Sequence, residues 1–189
     1  YYPMDELYVP AGKFLYANPY SGSTIELDRE AAPQTTRPAL WQEFLDRWFN
    51  TNIEEVEAFE AFLANMVHNP MNRAIWMPVL RTEGGIGKGV LLSEVLRPLM
   101  GKSSVQEARL ERVLGSFNAS FVRSRLVVIQ ELPKATARRD TYNQLKDFIT
   151  DDTIQTEEKF EAIKQLPKWF NTMAFTNKQQ PIKITDEED

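Results

Sequence analysis

The segment of the sequence that most constrains the fold is a glycine-rich run reading TEGGIGKG over residues 82–89. It separates an apolar stretch from an amphipathic one, which is the strand–loop–helix context that a phosphate-binding loop requires. Glycines let the backbone turn so that successive N–H groups converge, and the following helix adds its positive end. The alternative, a glycine-rich turn with an incidental lysine, is disfavoured by that order of elements. The residues predicted to bind the phosphates are Gly84, Gly85, Ile86, Gly87, Lys88, Gly89 and Val90.

Two positions of this loop depart from the usual pattern. Thr82 stands where the first glycine is common, and Gly89 stands where a serine or threonine hydroxyl normally binds Mg²⁺. Without that hydroxyl, the metal must rely on phosphate oxygens, water and one carboxylate. We therefore expect nucleotide binding to be retained, whereas the rate of hydrolysis stays open.

The pattern of apolar and polar residues around the loop predicts an α/β fold. Apolar runs at 74–80, 126–129 and 170–175 indicate buried strands, and helical periodicity covers 90–100 and 138–149. Alternation of strands and helices predicts a three-layer domain with a mostly parallel sheet.

The rest of the chain divides into three further predicted parts. Amphipathic helices are indicated at 40–49 and 56–67, and their aromatic stripes indicate core packing. Residues 1–39 read as irregular, with a short strand pair around 13–16 and 23–27, and residues 153–160 alternate like a hairpin arm. The predicted organisation is an irregular segment 1–39, a helical segment 40–72 and an ATPase-like core 73–189.

Composition excludes several classes of function. The chain has no cysteine and one histidine, His68, so disulfides, thiolate metal sites and histidine-based catalysis find little support. No apolar run approaches the ~20 residues that cross a bilayer, and we expect no membrane partner and a cytoplasmic location. The net charge of −5 hides an asymmetry: residues 1–83 carry six basic and twelve acidic side chains, residues 84–185 sixteen and eleven. A basic second part is compatible with a polyanion partner.

Polar residues follow two of the predicted strands. Glu131 comes directly after the run 126–129, and Asn177 follows the run 170–175. If both strands end beside the phosphate loop, Glu131 can orient or deprotonate an attacking water, or hold Mg²⁺ through water, while Asn177 can contact the γ-phosphate. Gln130 occupies a place where a second acid is common, and Asn177 taken alone is better explained as a turn cap.

In this order the motifs resemble those of superfamily 3 helicases, AAA+-related P-loop ATPases of viruses, phages and satellite plasmids, and most closely the phage primase–helicase type. Lys88 matches the lysine of motif A, Glu131 the glutamate of motif B and Asn177 the asparagine of motif C. The resemblance covers roughly residues 40–185. It implies an AAA+-like fold, ATP and Mg²⁺ as cofactors, and Lys88, Glu131 and Asn177 as catalytic residues.

The same resemblance implies a DNA-binding hairpin. The stretch 145–159 is similar to the motif B′ region, which in that family lines the central pore of a hexameric ring and touches single-stranded DNA. Lys159 and Phe160 would contact phosphate and base, with Lys164 as a second cation, a pairing suited to sequence-tolerant binding. A solvated surface hairpin is the alternative. A fused or partner primase or polymerase, and a bacterial host cell, are implied as well.

Family members also carry an arginine finger after the sensor strand. We expect it to lie beyond Asp189, which would make this chain alone a weak ATPase. The arginines available as substitutes are Arg123, Arg125, Arg138 and Arg139.

The sequence thus favours an ATP-driven replicative DNA helicase domain that acts as a homo-oligomeric ring on single-stranded DNA. The second hypothesis is a degenerate ATP-binding module that controls assembly of a replication initiator with little hydrolysis, as Thr82, Gly89 and Gln130 would suggest. A small-molecule kinase is disfavoured, because 138–139 is the only adjacent arginine pair and a kinase lid needs several.

Overall fold

A computed structural model describes most of the chain and places helices on both faces of a parallel sheet. The predicted α/β fold with three layers and a mostly parallel sheet is confirmed. None of the helices in the described part combines the length and apolar composition of a membrane-spanning segment. The residues described are 8–11, 14–17, 36–69, 72–82, 85–115, 119–132, 139–156 and 164–178.

The central sheet has four strands in the order β3-β8-β5-β4, and each neighbouring pair is parallel. The strands are β3 (Val79–Arg81), β4 (Val105–Ala108), β5 (Leu126–Ile129) and β8 (Asn171–Thr176). Both inner strands are buried along their whole length, so they read as continuous apolar runs rather than as alternating ones. This is why the sequence alone indicated β5 and β8.

One face of the sheet is covered by helices from both sides of the phosphate loop in the sequence. They are α1 (Ala39–Phe49), α2 (Ile53–His68) and a helical segment, α3, over residues 88–100. Asn52 caps α2, since its side chain accepts a hydrogen bond from the backbone N–H of Glu55 at 3.4 Å. Leu45 and Leu91 are fully buried in the cluster that joins these helices to the sheet.

The opposite face is covered by α5 (Arg139–Thr150), the short helix α4 (Leu110–Val113) and a 3₁₀ turn, Ala119–Arg123. Successive residues of β5 alternate between the two cores: Leu126 and Val128 pack toward α1, α2 and α3, whereas Val127 and Ile129 pack toward α5. The period of two along a strand therefore serves two layers at once.

Two strand pairs lie outside the main sheet. The strands β6 (Thr153–Thr156) and β7 (Lys164–Pro167) are antiparallel, in agreement with the predicted hairpin arm. The strands β1 (Tyr8–Ala11) and β2 (Phe14–Ala17) also form an antiparallel pair. The strand near 13–16 was expected to pair with 23–27, and residues 23–27 lie outside the described residues. In the described part of the chain the partner of β2 is β1, a closer segment that the sequence did not indicate.

Three features of the central sheet and its helices differ from the sequence prediction. The strand expected at 74–80 is confined to β3, because Pro78 lacks the N–H that a ladder needs, although its carbonyl accepts from the N–H of Ala174 at 3.0 Å. The strand β4 was missed, since its middle residues are polar. In α3, Leu91–Leu96 are π-helical between two α-helical turns, Lys88–Val90 and Arg97–Met100.

Candidate nucleotide-binding site

The carboxyl ends of three strands meet at one edge of the sheet, beside the glycine-rich loop. The backbone N–H of Thr82, just after β3, donates to the carbonyl of Thr176 at the end of β8, at 2.7 Å. The N–H of Leu132, just after β5, donates to the carbonyl of Phe175 at 2.9 Å. Parallel strands always bring their carboxyl ends to the same edge, which is where ligands bind in open α/β sheets. The sheet thus brings together the segments that carry Lys88, Glu131 and Asn177.

The loop itself has the backbone that only glycine adopts without strain. Gly85 and Gly87 have φ angles of 83° and 108°, in the left-handed region. Gly87 also lies next to α1, because a Cβ there would stand in van der Waals contact with Cε2 of Phe44, at 3.4 Å. Gly84, which was predicted to belong to the phosphate-binding set, lies outside the described residues. The described loop, 85–87, leads directly into the first turn of α3.

Lys88 begins α3 and lies over an aromatic ring. Its Nζ is 5.6 Å from the centroid of Phe175, whose ring is buried at the end of β8. A cation over a ring face gains about 0.5–1 kcal/mol at a partly exposed site, which is less than a charge-assisted hydrogen bond to a phosphate. The ammonium group is therefore held at the sheet edge by an interaction that an anion in the loop can replace.

Three positions at the ends of the loop differ in how exposed they are. Thr82 is 2% exposed, and its hydroxyl has no hydrogen-bond partner among the residues that the structure describes. Gly89 lies within α3, with open space within 4 Å of the place where a Cβ would stand. Val90 is 52% exposed on the same turn.

Glu131 and Asn177 are both exposed at the sheet edge, after β5 and β8. In the described part of the chain, no three carboxylate or histidine side chains gather as a protein-only metal site. A Mg²⁺ ion bound beside nucleotide phosphates uses only one or two protein carboxylates, and Glu131 is the residue at this edge that could supply one.

Gln130 has a partner that the sequence did not indicate. Its Nε2 donates to Oε2 of Glu107 on β4 at 3.0 Å, and Glu107 forms an ion pair with Arg97 of α3. The amide at this position, where a second acid is common, is therefore held by the neighbouring strand β4. The sequence signal was hidden because β4 itself was not predicted.

A tryptophan from α1 contacts the loop, whereas the sequence pattern indicated only a place in the core for it. Nε1 of Trp48 donates to the carbonyl of Ile86 at 3.1 Å. Its ring meets Phe175 edge-on, with centroids 5.9 Å apart. A buried indole needs a partner for its single N–H, and this requirement was the available signal.

The predicted DNA-binding residues are only partly described. Lys164 is exposed at the start of β7, while Lys159 and Phe160 lie outside the described residues. Among the substitutes for an arginine finger, Arg125 is 5% exposed and so cannot reach a neighbouring subunit. Arg123 is exposed, Arg138 lies outside the described residues, and Arg139 is described in its backbone alone.

The parallel sheet has helices on both faces, and a glycine-rich loop lies between its edge strand and a helix. This arrangement defines a P-loop-like α/β domain. Residues 80–189 match the model of DUF5906, a family of unknown function, and the chain belongs to this family. No match was found among curated proteins.

Among solved structures, the chain is similar to the C-terminal region of NrS-1. Its apo structure aligns with a TM-score of 0.79 and 19% identity over 100% of this chain. The A form of the apo structure aligns with a TM-score of 0.75 and 18% identity over 98% of this chain. The chain spans 44% of each of these structures. At this identity the likeness bears on the fold, and it agrees with the layers and sheet described above.

Proposed function

We propose that this chain is the ATPase domain of a phage-type primase–helicase, a DNA helicase domain that moves along single-stranded DNA as a homo-oligomeric ring, on the pattern of superfamily 3. The observation that carries the proposal is the phosphate loop, which enters α3 at the sheet edge where Glu131 and Asn177 emerge. A glycine loop alone binds phosphate; a loop with a carboxylate and an amide at the ends of neighbouring strands has the parts needed for hydrolysis.

In this proposal, the ATP phosphates bind to the backbone N–H groups of the loop and the first turn of α3, and Lys88 moves from the ring of Phe175 to their oxygens. Mg²⁺, when bound, neutralises charge on the phosphates. Glu131 orients or deprotonates the attacking water, and Asn177 contacts the γ-phosphate or that water. Each role suits the exposed position of the side chain at the edge.

The DNA-binding part of the proposal is supported by the hairpin of β6 and β7. Thr156 and Lys164 form the last pair before the connection, so the segment 157–163 with Lys159 and Phe160 joins the two strands. A cation and an aromatic residue in one short connection match the chemistry of single-strand binding, since the phosphate and the base face are both satisfied. In a ring, the hairpins of all subunits would meet the same strand.

The experiment that tests the proposal compares ATP binding and phosphate release, with and without single-stranded DNA, for the wild type and Lys88→Ala. We expect Lys88→Ala to weaken ATP binding by at least tenfold and to abolish turnover, because one charge-assisted contact contributes about 1.5–3 kcal/mol. Lys102→Ala is the matched control, since Lys102 is exposed on the turn after α3. Equal binding by the wild type and Lys88→Ala would sink the nucleotide proposal.

One observation favours a second candidate, an ATP-binding module that controls assembly and hydrolyses little. The amide of Gln130 is held by Glu107 where a second acid is common, and Gly89 offers no hydroxyl, so Glu131 is left as the single protein contact that we assign to Mg²⁺. This candidate predicts ATP-dependent oligomerisation, measured by light scattering, without phosphate release even when DNA is present. The helicase proposal predicts phosphate release that single-stranded DNA accelerates.

A further inference from the structure

The helix α1 lies against the phosphate loop, although α2 and β3 come between them in the sequence. Three aromatic residues of α1 form a stack along it: Trp41 and Phe44 have centroids 5.5 Å apart, and Phe44 and Trp48 5.3 Å. Trp48, at the end of this stack, contacts the loop at the carbonyl of Ile86. A residue of the helical segment is therefore close enough to act on the loop that we propose binds ATP, and the inference rests on that proposal.

The contact from Trp48 fixes the orientation of one peptide unit of the loop. Its indole N–H donates to the carbonyl of Ile86 at 3.1 Å. In a trans peptide the carbonyl of one residue and the N–H of the next point in opposite directions. Holding the Ile86 carbonyl toward α1 therefore directs the N–H of Gly87 away from α1. A fixed N–H donor is what an anion-binding loop needs, because its orientation then costs nothing upon binding.

A second contact connects Trp48 to the cation of the loop. The ring of Trp48 lies edge-on to Phe175, with centroids 5.9 Å apart, and Lys88 Nζ lies over the same ring of Phe175 at 5.6 Å. Trp48 thus touches both the backbone that donates to phosphate and the ring that holds the lysine. When an anion draws Lys88 from Phe175, the surroundings of the indole change.

We propose that Trp48 is a positioning residue of the nucleotide site, which holds the loop in its phosphate-binding form and makes α1 sensitive to the occupancy of that site. Its role is distinct from core packing, because it depends on the indole N–H rather than on the area of the ring. Phenylalanine at this position removes the donor together with the five-membered ring of the indole, and the same truncation at Trp41 controls for the lost volume.

The test compares Trp48→Phe with Trp41→Phe in the full chain. Trp41 lies on the same helix and is also partly buried, and its Nε1 donates to Oε1 of Glu60 at 2.9 Å. Both variants lose one indole hydrogen bond, so both are expected to lower the melting temperature of the nucleotide-free protein by similar amounts. We expect Trp48→Phe to weaken ATP and ADP binding roughly three- to tenfold, the range for one lost hydrogen bond, while Trp41→Phe binds like the wild type.

Tryptophan fluorescence supplies a readout that a structural role would not change. ADP titration is expected to change the emission of the wild type and of Trp41→Phe, and this change is expected to disappear in Trp48→Phe. Wild-type affinity in Trp48→Phe, or equal losses in both variants, would overturn the inference. These outcomes stay separate from failure of the proposed function, which would appear as equal nucleotide binding by the wild type and Lys88→Ala; absence of binding in the wild type would overturn both.

Discussion

At the scale of single residues, two glycines of the phosphate loop have opposite tolerance to a side chain. Gly87 has a φ of 108°, which side chains rarely adopt, so the backbone requires glycine there, whereas a Cβ would make an ordinary contact with the ring of Phe44. Gly89 lies in the first turn of α3 and has open space where a Cβ would stand. The glycine that departs from the usual loop pattern is therefore not required by the fold.

The first residue-scale prediction concerns Gly89→Ser and its matched control Gly89→Ala. Both remove a glycine from a helical turn without a clash, so both are expected to raise the free energy of unfolding, by up to about 1 kcal/mol for alanine. Only serine adds a hydroxyl where Mg²⁺ is commonly bound. We expect Gly89→Ser alone to increase Mg²⁺-dependent nucleotide affinity, measured by titration with MgADP and with ADP in EDTA.

For each variant, the affinity for MgADP is divided by the affinity for ADP in EDTA. An equal ratio in Gly89→Ser and Gly89→Ala would contradict this prediction. It would mean that the hydroxyl does not reach the metal, and that the loop differs from the usual pattern in more than one side chain. A destabilised Gly89→Ala would contradict the helical geometry instead, since that variant tests the backbone without any metal.

The same scale shows which parts of the site the sequence could predict. The loop glycines, Glu131 and Asn177 were found because local rules fix them: a glycine pattern, and polar residues at the ends of apolar runs. Trp48 and Glu107 were missed because their partners lie far away along the chain, at Ile86 and Gln130. Hydrogen bonds between distant elements leave no periodic signal.

At the scale of elements, the C-terminal end of α5 is held by two cations from different segments. The Arg73 guanidinium donates to the carbonyls of Ile149 at 2.5 Å and Thr150 at 2.6 Å, and pairs with Asp152 at 2.9 Å. Lys168 donates through Nζ to the carbonyl of Phe148. The last carbonyls of a helix lack intrahelical partners and carry its negative end, so cations there satisfy both needs.

Because β6 starts directly after this helix end, the cap also fixes the base of the hairpin. We predict that Arg73→Lys lowers the free energy of unfolding by about 1–3 kcal/mol, since lysine keeps the charge but cannot donate in a planar fork to two carbonyls and a carboxylate. Urea denaturation followed by circular dichroism measures the loss.

Arg47→Lys is the matched control for this substitution. Arg47 is exposed on α1 and pairs with Glu43 one turn earlier, and such surface pairs contribute about 0.3–0.5 kcal/mol. Equal losses in both variants would show that the cap of α5 contributes no more than an exposed ion pair.

The sequence predicted those helices and strands whose buried residues form a regular pattern along the chain. The helices α1 and α2 and the strands β5 and β8 have long periodic or continuous apolar runs, and these were found. The edge strand β4 has two half-buried polar residues in its middle, so its pattern resembles a loop. Neighbouring strands, rather than its own side chains, make it a strand.

At the scale of the whole molecule, the order of the strands follows from packing that no local pattern encodes. Alternation of strands and helices predicted a parallel three-layer fold, but β3 lies beside β8, the strand farthest from it in sequence. This crossover brings Thr82 to Thr176 and so assembles the site. The same layering places α1 on the phosphate loop and Lys168 between the hairpin, α5 and the sheet.

The burial of Lys168 leads to a prediction about how the stability of the whole fold depends on pH. Lys168 is 4% exposed, and burial, together with the nearby charge of Arg73, lowers its pKa to about 8, while Asp151 and Asp152 oppose the shift. In the unfolded chain the amine titrates near its ordinary value of about 10.4. Between these two values, the unfolded state binds more protons than the folded one, so the free energy of unfolding rises with pH.

The rise can be isolated by comparing the wild type with Lys168→Met across pH 7.5 to 9.5. Other groups titrate in this range, but they do so in both proteins, so the difference between the two unfolding free energies reports Lys168. We expect that difference to shift by roughly 1–2 kcal/mol in favour of the wild type as the pH rises. The neutral amine still donates to the carbonyl of Phe148, so deprotonation relieves the cost of burying a charge without breaking the cap. The unfolding free energy of Lys102→Met, a change at an exposed site, should vary with pH in parallel with that of the wild type. If Lys168→Met does so as well, the ammonium of Lys168 is not buried in the folded state, and the hairpin base is open to water.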